Sequence, residues 1–344
     1  MEMDLLFEHQ NFFHPSVIPY RGKLMMIMHK ILAMDKFSAP YYCFSDDGGS
    51  TWSEPQKITP LEKFTKCADF RPLTLSDDSK AGIIGIVKGE KGYKSVYLFY
   101  DGTWSEAEYI PNQDFADDRA ACVQTAVADE NYVIIPFFCL NEEKKFVTVC
   151  RKYRIDGKKL VHLGTGNPLS VNTGRGLYEP SVAEYKDKFY LTMRCDENCA
   201  WVSVSNDGLN WELPKKWYFS NGKLLTTSPT QQHWMKLNDK LYLVYTRQDE
   251  TNEDCFRWRT PLFASPVDIN KMCLDETKET IILPRIDYRE RPGLYGNFNV
   301  TNFENRVYIS DAPLWFDWTT DKESIAWFSS SIYLKTTDSA LNKD

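Results

Sequence analysis

Apolar and polar residues alternate along the chain in a pattern that recurs six times. Each copy begins with a polar residue, continues as an alternating run, reverses at a polar or Gly-containing turn, and ends in a second apolar run. The copies begin at His14, Arg71, Gln124, Glu179, Gln231 and Asn297. Period-two alternation on both sides of a turn predicts a β-hairpin in every copy.

A repeat of about 55 residues has room for four short antiparallel strands, the unit of a β-propeller blade. Because six copies fill the chain, we predict an all-β protein with a single six-bladed propeller domain over residues 1–344. The leading segment LLFEHQNFF is expected to supply a strand that closes the ring against the last blade. A two-sheet sandwich is the alternative, but sandwiches do not usually repeat one internal motif six times.

Composition narrows the class of protein. A 42% hydrophobic and 14% aromatic chain can form a core, and a net charge of −7 disfavours a nucleic-acid binder. No apolar run approaches the roughly 20 residues of a membrane helix. The nine cysteines are odd in number and lack zinc-type spacing, so we expect reduced thiols and no metal or other cofactor. With no secretory signal visible, we expect a cytoplasmic protein, or a secreted or periplasmic one if a leader was removed.

A second repeat marks turns between the third and fourth strands of some blades. Residues 45–52 (SDDGGSTW) fit S-x-D-x-G-x-x-W, residues 205–211 (SNDGLNW) are one residue shorter, and residues 101–104 (DGTW) are a degraded copy. In such a turn Asp accepts backbone N–H groups, Gly adopts positive φ, and Trp packs back under the loop. These turns resemble the Asp-box (BNR repeat) of the sialidase, or neuraminidase, superfamily. The resemblance implies a sialidase-like propeller in which Asp47, Asp207, Trp52 and Trp211 are scaffold residues.

The first residues of the six inner strands are expected to converge on a common axial pocket. All six are polar, which favours a site for a polar ligand over an inert channel. Within this set, residues 179–184 (EPSVAE) and 191–194 (LTMR) resemble a sialidase segment closely. That resemblance implies that Glu179 is the carboxylate partner of a nucleophile. It also implies that Arg194 and, one blade later, Arg247 bind a substrate carboxylate, for which a guanidinium is well shaped.

Other site residues follow from the resemblance or depart from it. Asp35 lies in the loop where sialidases carry a general acid, so the resemblance implies that role. The first inner strand has His14-Pro15-Ser16 in place of the family's Arg-Ile-Pro, and Arg71 is a candidate to restore the missing charge. The family's nucleophilic tyrosine has two candidate counterparts, Tyr295 and Tyr178.

Histidines at two strand starts add a second kind of chemistry. A neutral imidazole can transfer a proton near pH 7, so His14 and His233 are acid or base candidates. The remaining strand starts, Gln124, Gln231 and Asn297, are expected to bind the sugar by hydrogen bonds.

Three functions remain open from the sequence. The first is an exo-acting glycoside hydrolase that removes a terminal acidic sugar of sialic or uronic acid type. The second is a propeller-type polysaccharide lyase in which His14 or His233 abstracts the proton alpha to a uronate carboxylate. The third is a propeller that binds carbohydrate or protein without catalysis. The pair Glu179 and Arg194 favours an enzyme with a carbohydrate substrate, and fold alone does not decide between the three.

Overall fold

The computed structural model describes residues 3–33, 36–227, 229–303, 305–318 and 325–338. Six antiparallel sheets form the blades of a propeller, which confirms the predicted fold class. The first strand of one blade contacts the first strand of the next at five of the six blade junctions, so these strands are the inner ones. The sandwich alternative is therefore wrong.

Each blade follows the chain outward from its inner strand. Blade 1 contains Phe12–Tyr20, Lys23–Ala33, Tyr41–Ser45 and Gln56–Lys57, and blade 2 contains Cys67–Leu73, Ala81–Lys88, Tyr93–Tyr100 and Glu108–Tyr109. In blade 3, Asp118–Arg119 and Ala126–Asp129 both pair with Tyr132–Leu140, and Phe146–Asp156 and Lys159–Thr165 follow. Blade 4 contains Tyr178–Tyr185, Lys188–Arg194, Trp201–Ser205 and Lys215–Lys216.

The last two blades carry additions. Blade 5 contains His233–Leu237, Lys240–Tyr245, Leu262–Asp268 and Cys273–Leu274, with Thr280–Leu283 also paired to its third strand. Blade 6 contains Asn299–Phe303, Arg306–Asp311, Ile332–Asp338 and Asp4–Leu6. Lys36–Phe37 pairs with Lys23–Ala33, and two further hairpins join Asp287–Tyr288 to Arg291–Pro292 and Leu314–Trp318 to Ile325–Ser330. The 3-10 helices are Thr59–Leu61, Phe256–Trp258 and Glu276–Lys278.

The ring is joined by the two ends of the described chain. Asp4–Leu6 runs antiparallel to Ile332–Leu334 and is the outer strand of blade 6. Pairing the first strand with the last covers a sheet edge that would otherwise expose unpaired backbone groups.

The hydrophobic core is divided among the blade interfaces. Six clusters of buried side chains each draw residues from two neighbouring blades, so every blade packs on both faces. Such strands read as nearly continuous apolar runs, as in residues 132–140 (YVIIPFFCL). Burying a large aliphatic or aromatic side chain contributes about 1.5–3 kcal/mol, so these interfaces hold the ring rigidly around its axis.

The two best-formed turn motifs are organised by one serine each. Gly49 N–H donates to Ser45 Oγ at 2.9 Å, and Gly208 N–H donates to Ser205 Oγ at 3.0 Å. In each turn the tryptophan Nε1–H donates to the carbonyl of that glycine, at 2.8 and 3.1 Å. The side chains are thus engaged in holding the turn, as expected of scaffold residues.

All nine cysteines are unpaired, buried thiols. Among the described residues, no helix has the length and apolar character needed to cross a bilayer.

Candidate active site

Three inner strands contain a β-bulge near their first residues. The ladder register shifts between Phe13 and Ser16, between Ala68 and Arg71, and between Tyr178 and Ser181. The residues with left-handed backbone inside these bulges are His14 (φ 53°), Asp69 (φ 56°) and Glu179 (φ 45°). In blade 3, Cys122 (φ 54°) lies between the two segments that pair with Tyr132–Leu140.

Left-handed backbone is costly for residues other than glycine, and such residues concentrate at functional sites. A bulge also re-aims the side chain it carries. Four neighbouring blades use this device at the same end of the inner strand. The end of the axis where these four side chains gather is therefore the best candidate for a site, and we call it the axial cluster.

Glu179 and Arg194 form the first ion pair of the axial cluster. Arg194 Nη1 lies 2.7 and 2.6 Å from the two carboxylate oxygens of Glu179. Both side chains are mostly buried, with 19% of Glu179 and 9% of Arg194 exposed. The Arg194 guanidinium also lies 4.7 Å from the centroid of the Tyr178 ring. The structure thus brings together the two residues that the sequence singled out.

A second guanidinium, that of Arg259, stands in the cluster without a carboxylate partner. Arg259 forms no ion pair with any residue in the described ranges, and its buried Nε has no hydrogen-bond acceptor. Burial, together with the positive charges of Arg194 and Arg257, lowers the pKa of Arg259 to about 10. Two adjacent cations, only one of them neutralised, form a binding site for an anion.

The loop that carries Arg259 is fixed from both sides. Asn252 Nδ2 donates to the carbonyls of Arg247 and Thr260, each at 2.8 Å. The backbone N–H of Tyr295 donates to the Arg259 carbonyl at 2.7 Å. Arg259 is therefore held in position before any ligand arrives, which reduces the entropy lost on binding.

Arg71 and Asp311 form a deeper layer. Arg71 is fully buried and donates to Ser16 Oγ at 3.2 Å and to the Asn297 carbonyl at 2.9 Å. Asp311 is also fully buried and accepts backbone N–H groups from Gly296 and Ala312. Burial raises the pKa of Asp311 to about 7 against the opposing effect of those hydrogen bonds. Near neutral pH this carboxyl is thus partly protonated.

Asp69 and His14 form the second pair of side chains in the axial cluster. His14 Nδ1 lies 3.0 Å from Asp69 Oδ1. Burial lowers the pKa of His14, and Asp69 only partly opposes this, so the imidazole is neutral at pH 7. The pKa of Asp69 is lowered to about 2, because contacts with His14, His29 and Arg71 outweigh the effect of burial.

His29 is locked behind this pair. Its Nδ1 lies 2.9 Å from the Ser38 carbonyl, and its Nε2 accepts the backbone N–H of Phe70 at 3.3 Å. Those contacts require the Nδ1–H form of a neutral ring. Burial lowers the pKa of His29 to about 4.

The two tyrosines that the sequence offered as phenols are engaged elsewhere. The Tyr178 hydroxyl donates to Asp196 and accepts from Arg175. Tyr295 is fully buried, and its hydroxyl donates to the Pro284 carbonyl at 2.7 Å. Burial raises the pKa of both phenols. Neither hydroxyl is presented to a substrate in this structure.

The polar residues that begin the predicted hairpins of the other blades form hydrogen bonds to neighbouring inner strands. His233 is fully buried, with Nδ1 2.8 Å from Ser181 Oγ and Nε2 3.0 Å from Gln231 Oε1. Gln231 Nε2 donates to the Gly296 carbonyl at 2.8 Å. Gln124 Nε2 donates to the carbonyls of Trp234 and Val300, and its Oε1 accepts the backbone N–H of Trp234.

Asn297 stays beside the axial cluster, since its carbonyl accepts from Arg71. Its side chain is half-buried, so it remains a candidate for sugar binding.

Arg247 does not join the axial cluster. Its guanidinium is bound to Glu279, with Nη2 2.5 Å from Oε2, and to Asp249 Oδ2 at 2.9 Å. It also stacks 4.5 Å from the Phe263 ring centroid. The two carboxylates already neutralise Arg247. The resemblance implied that Arg247 would lie beside Arg194, but in the structure Arg259 lies there. Asp35, the implied general acid, lies outside the described residues.

The described residues enclose a large cavity away from the axial cluster and contain no group of metal-binding side chains. Within the described ranges, no group of three or more His, Cys, Asp or Glu side chains is arranged to hold a metal ion. A cavity of about 1010 Å³ opens at the other end of the axis, next to Asp207 and Glu184. It contains none of the bulge residues.

Comparison with known proteins places the fold. No family model matches the chain, and no curated protein matches its sequence. The structure is similar to Trypanosoma rangeli sialidase in complex with sialic acid, with a TM-score of 0.61 and 14% identity over 95% of this chain and 54% of that chain. A Hadza microbial sialidase gives 0.64 and 11% over 96% of this chain and 66% of that one. NanB sialidase from Streptococcus pneumoniae gives 0.60 and 10% over 94% and 68%.

These similarities confirm a sialidase-like six-bladed propeller as the fold. The chain spans about half the length of the trypanosomal sialidase. At 10–14% identity the likeness concerns the fold, and the chemistry has to be argued from the axial cluster itself.

Proposed function

We propose that this protein is a sialidase-like glycoside hydrolase that removes a terminal acidic sugar, of sialic or uronic acid type, from a carbohydrate. The observation that carries the proposal is the unpaired Arg259 beside Arg194. A sugar carboxylate would supply the missing negative charge and accept two parallel N–H bonds from a guanidinium.

The charge balance of the axial cluster supports an anionic ligand. Three guanidiniums, of Arg71, Arg194 and Arg259, face three carboxyls, of Asp69, Glu179 and Asp311. Because burial keeps Asp311 partly protonated near pH 7, the cluster carries a net positive charge. Binding one carboxylate would neutralise it in a partly desolvated site, where the attraction is stronger than in water.

Glu179 supports a catalytic role for the same site. Its carboxylate is held by Arg194 and is mostly buried, on a left-handed residue that the fold positions at a conformational cost. An oxocarbenium-like transition state gains positive charge at the anomeric carbon, and a fixed carboxylate nearby stabilises that charge.

The lyase alternative is less well supported by the histidines. Only 3% of His14 is exposed, and Asp69 stands before it, while both ring nitrogens of His233 are hydrogen-bonded. Neither imidazole is placed to abstract a proton from a bound uronate. A non-catalytic carbohydrate-binding propeller would also use the arginines, but it would have no need for the strained acidic residues Asp69 and Glu179.

The test is mass spectrometry of products from a panel of sialosides and uronic-acid oligosaccharides, run in H₂¹⁸O. The proposal predicts cleavage with one ¹⁸O in the released acidic sugar, and at least a hundredfold loss of rate in Glu179→Ala. Glu184→Ala, a half-buried glutamate further along the same strand, is the matched control and should cleave like the wild type.

Two outcomes would contradict the proposal. An unsaturated product lacking ¹⁸O would show a lyase, and binding without cleavage would show a receptor.

Nine unpaired, buried thiols support the proposal of a reducing, cytoplasmic location. Burial raises the pKa of several of these thiols, such as Cys43 to about 12, so they are unreactive there.

A further inference from the structure

Asp69 is the acidic residue of the axial cluster that is best placed to contact a substrate. About 23% of its side chain is exposed, against 3% for His14 behind it. Its Oδ1 lies 3.0 Å from His14 Nδ1, and no described residue donates to its Oδ2. One oxygen thus lies against the imidazole, and the other has no donor among the described residues.

The backbone that carries Asp69 is fixed by the second histidine. The N–H of Phe70, the next residue, donates to His29 Nε2, and His29 is in turn held by the Ser38 carbonyl. Asp69 itself has a φ of 56° within the bulge of the blade 2 inner strand. Two neutral imidazoles therefore fix the side chain and the backbone of this aspartate separately.

The other groups that could attack a sugar are occupied. The Tyr178 and Tyr295 hydroxyls are bound to Asp196 and to the Pro284 carbonyl, and both oxygens of Glu179 contact one nitrogen of Arg194. An ionised carboxylate in a polar, partly solvated setting is suited to nucleophilic attack on an anomeric carbon.

We propose that Asp69 is the catalytic nucleophile of this site, with His14 and His29 as its positioning residues. The inference rests on the proposed glycosidase function. The low pKa of Asp69 supports it, because the carboxylate stays ionised over the whole physiological range.

The reaction then has two displacements. Asp69 Oδ2 bonds to the anomeric carbon while the bond from that carbon to the leaving oxygen breaks, and the leaving oxygen takes a proton from solvent. Water then attacks the anomeric carbon of the Asp69 ester, the ester bond breaks, and one proton returns to solvent. The sum is hydrolysis with net retention, and Asp69 is regenerated as a carboxylate.

The experiment traps the ester. The wild type is incubated separately with 2,3-difluorosialic acid and with a 2-deoxy-2-fluoro-glucuronyl fluoride, and intact mass and peptide mapping locate the adduct. We expect a gain of one glycosyl group on the peptide that contains Asp69. Asp69→Asn should show no adduct and at least a hundredfold lower turnover.

Asp187→Asn is the matched control, because Asp187 also has a left-handed backbone (φ 58°) but lies in an exposed turn of blade 4. Asparagine tolerates this conformation at both sites. The control variant should be labelled like the wild type.

A second variant keeps the inference falsifiable if Asp69→Asn fails to fold. Asp69→Gly accepts the same backbone, and sodium azide should restore its turnover at least tenfold with a glycosyl azide as product. In every case the adduct on the wild-type enzyme gives the assignment without any variant.

The failures are distinguishable. An adduct on Tyr178, Tyr295 or Glu179, or turnover within twofold of wild type in Asp69→Asn, would overturn the role of Asp69 and leave the glycosidase standing. A wild-type enzyme that neither cleaves the panel nor takes up either probe would overturn both.

Discussion

Arg194 Nη1 contacts both carboxylate oxygens of Glu179, at 2.7 and 2.6 Å, although the two residues are 15 positions apart in the chain. The contact arises because the inner strand of blade 4 begins where its second strand ends, and the pair Tyr178–Arg194 is in register across that hairpin. Glu179 neutralises the charge of Arg194, whereas the charge of Arg259 has no carboxylate partner among the described residues and is available to a ligand.

Arg259→Gln should raise KM for an acidic sugar by about 10- to 100-fold, the effect of losing roughly 1.5–3 kcal/mol of charge-assisted hydrogen bonding. Arg247→Gln is the matched control, since that guanidinium is bound to Glu279 and Asp249. It should lower the melting temperature with KM unchanged. Steady-state kinetics and thermal unfolding of both variants check this, and equal KM effects in the two would refute it.

Glu179→Gln should reduce kcat and also lower the free energy of unfolding. The substitution leaves the mostly buried Arg194 without its counter-charge, and breaking such a pair costs about 3–5 kcal/mol in buried settings. Because both groups are partly exposed, we expect the lower part of that range. Urea denaturation beside kinetics measures the two effects, and a variant of unchanged stability and rate would contradict the assignment.

His14→Asn should move the acid limb of the pH–kcat profile to higher pH. His14, His29 and Arg71 face Asp69 and hold its pKa at about 2, and the thiol of Cys122 also interacts with its charge. Removing His14 raises the pKa of Asp69, so the carboxylate protonates at a higher pH. A profile between pH 3 and 7 measures the shift.

The control for that shift is His162→Asn. His162 lies on the outer strand of blade 3, where it bonds to Asn112 and Thr165. Its replacement should leave the profile in place. A purely structural role for His14 predicts a lower rate at every pH with an unmoved limb.

Asp311→Asn should reduce the pH dependence of stability. Because the folded-state pKa of Asp311 is raised to about 7, its contribution to stability is complete below the unfolded pKa and is lost as pH rises through 7. The difference between the usual Asp pKa of about 4 and a pKa of about 7 corresponds to roughly 4 kcal/mol for a fully buried group, about two thirds of which is lost above pH 5. Urea denaturation at pH 5 and pH 8 should therefore show a smaller difference for the variant than for the wild type.

Ser205→Ala should destabilise the protein without changing its activity. Ser205 Oγ accepts from Gly208 N–H and contacts Asp207 Oδ1 at 2.9 Å, and leaving the buried N–H unpaired costs about 1–3 kcal/mol. The turn lies beside the cavity at the other end of the axis from the axial cluster. Ser220→Ala, at an exposed serine, is the control, and a drop in kcat for Ser205→Ala alone would contradict a scaffold role.

The fold could be predicted because each blade shows alternating apolar and polar residues along its strands and characteristic residues in its turns. Every predicted hairpin start falls within or next to an inner strand of the structure, and the S-x-D turns appear where the third strands of blades 1 and 4 end. Period-two patterning is a property of each strand alone, so no tertiary information is needed to find it.

The site was only partly predictable, because a bulge adds residues that alternation does not reveal. Glu179 and His14 stand inside their bulges, whereas Arg71 lies two residues beyond the bulge residue Asp69. The sequence repeats were aligned on Arg71 and Gln124, which lie two residues after the left-handed residues Asp69 and Cys122. In blades 2 and 3 the alignment was therefore out of register by two residues. That slip hid Asp69, and in blade 3 it selected Gln124 where Cys122 is the residue with left-handed backbone.

Arg259 was hidden for a different reason. Arg247 lies two residues beyond the end of the second strand of blade 5, whereas Arg194 ends the second strand of blade 4, and the loop of residues 246–261 carries Arg259 back to the cluster instead. Loop paths depend on tertiary contacts such as those of Asn252, which no local pattern reports.

The most direct test of the account compares an acidic sugar substrate with its methyl ester in the wild type and in Arg259→Gln. If a sugar carboxylate binds at Arg259, beside the Arg194–Glu179 pair, the wild type should prefer the acid in kcat/KM by at least tenfold, and Arg259→Gln should lose most of that preference. Equal preference in both enzymes, or none in the wild type, would show that Arg259 does not bind the carboxylate and would contradict the proposed site.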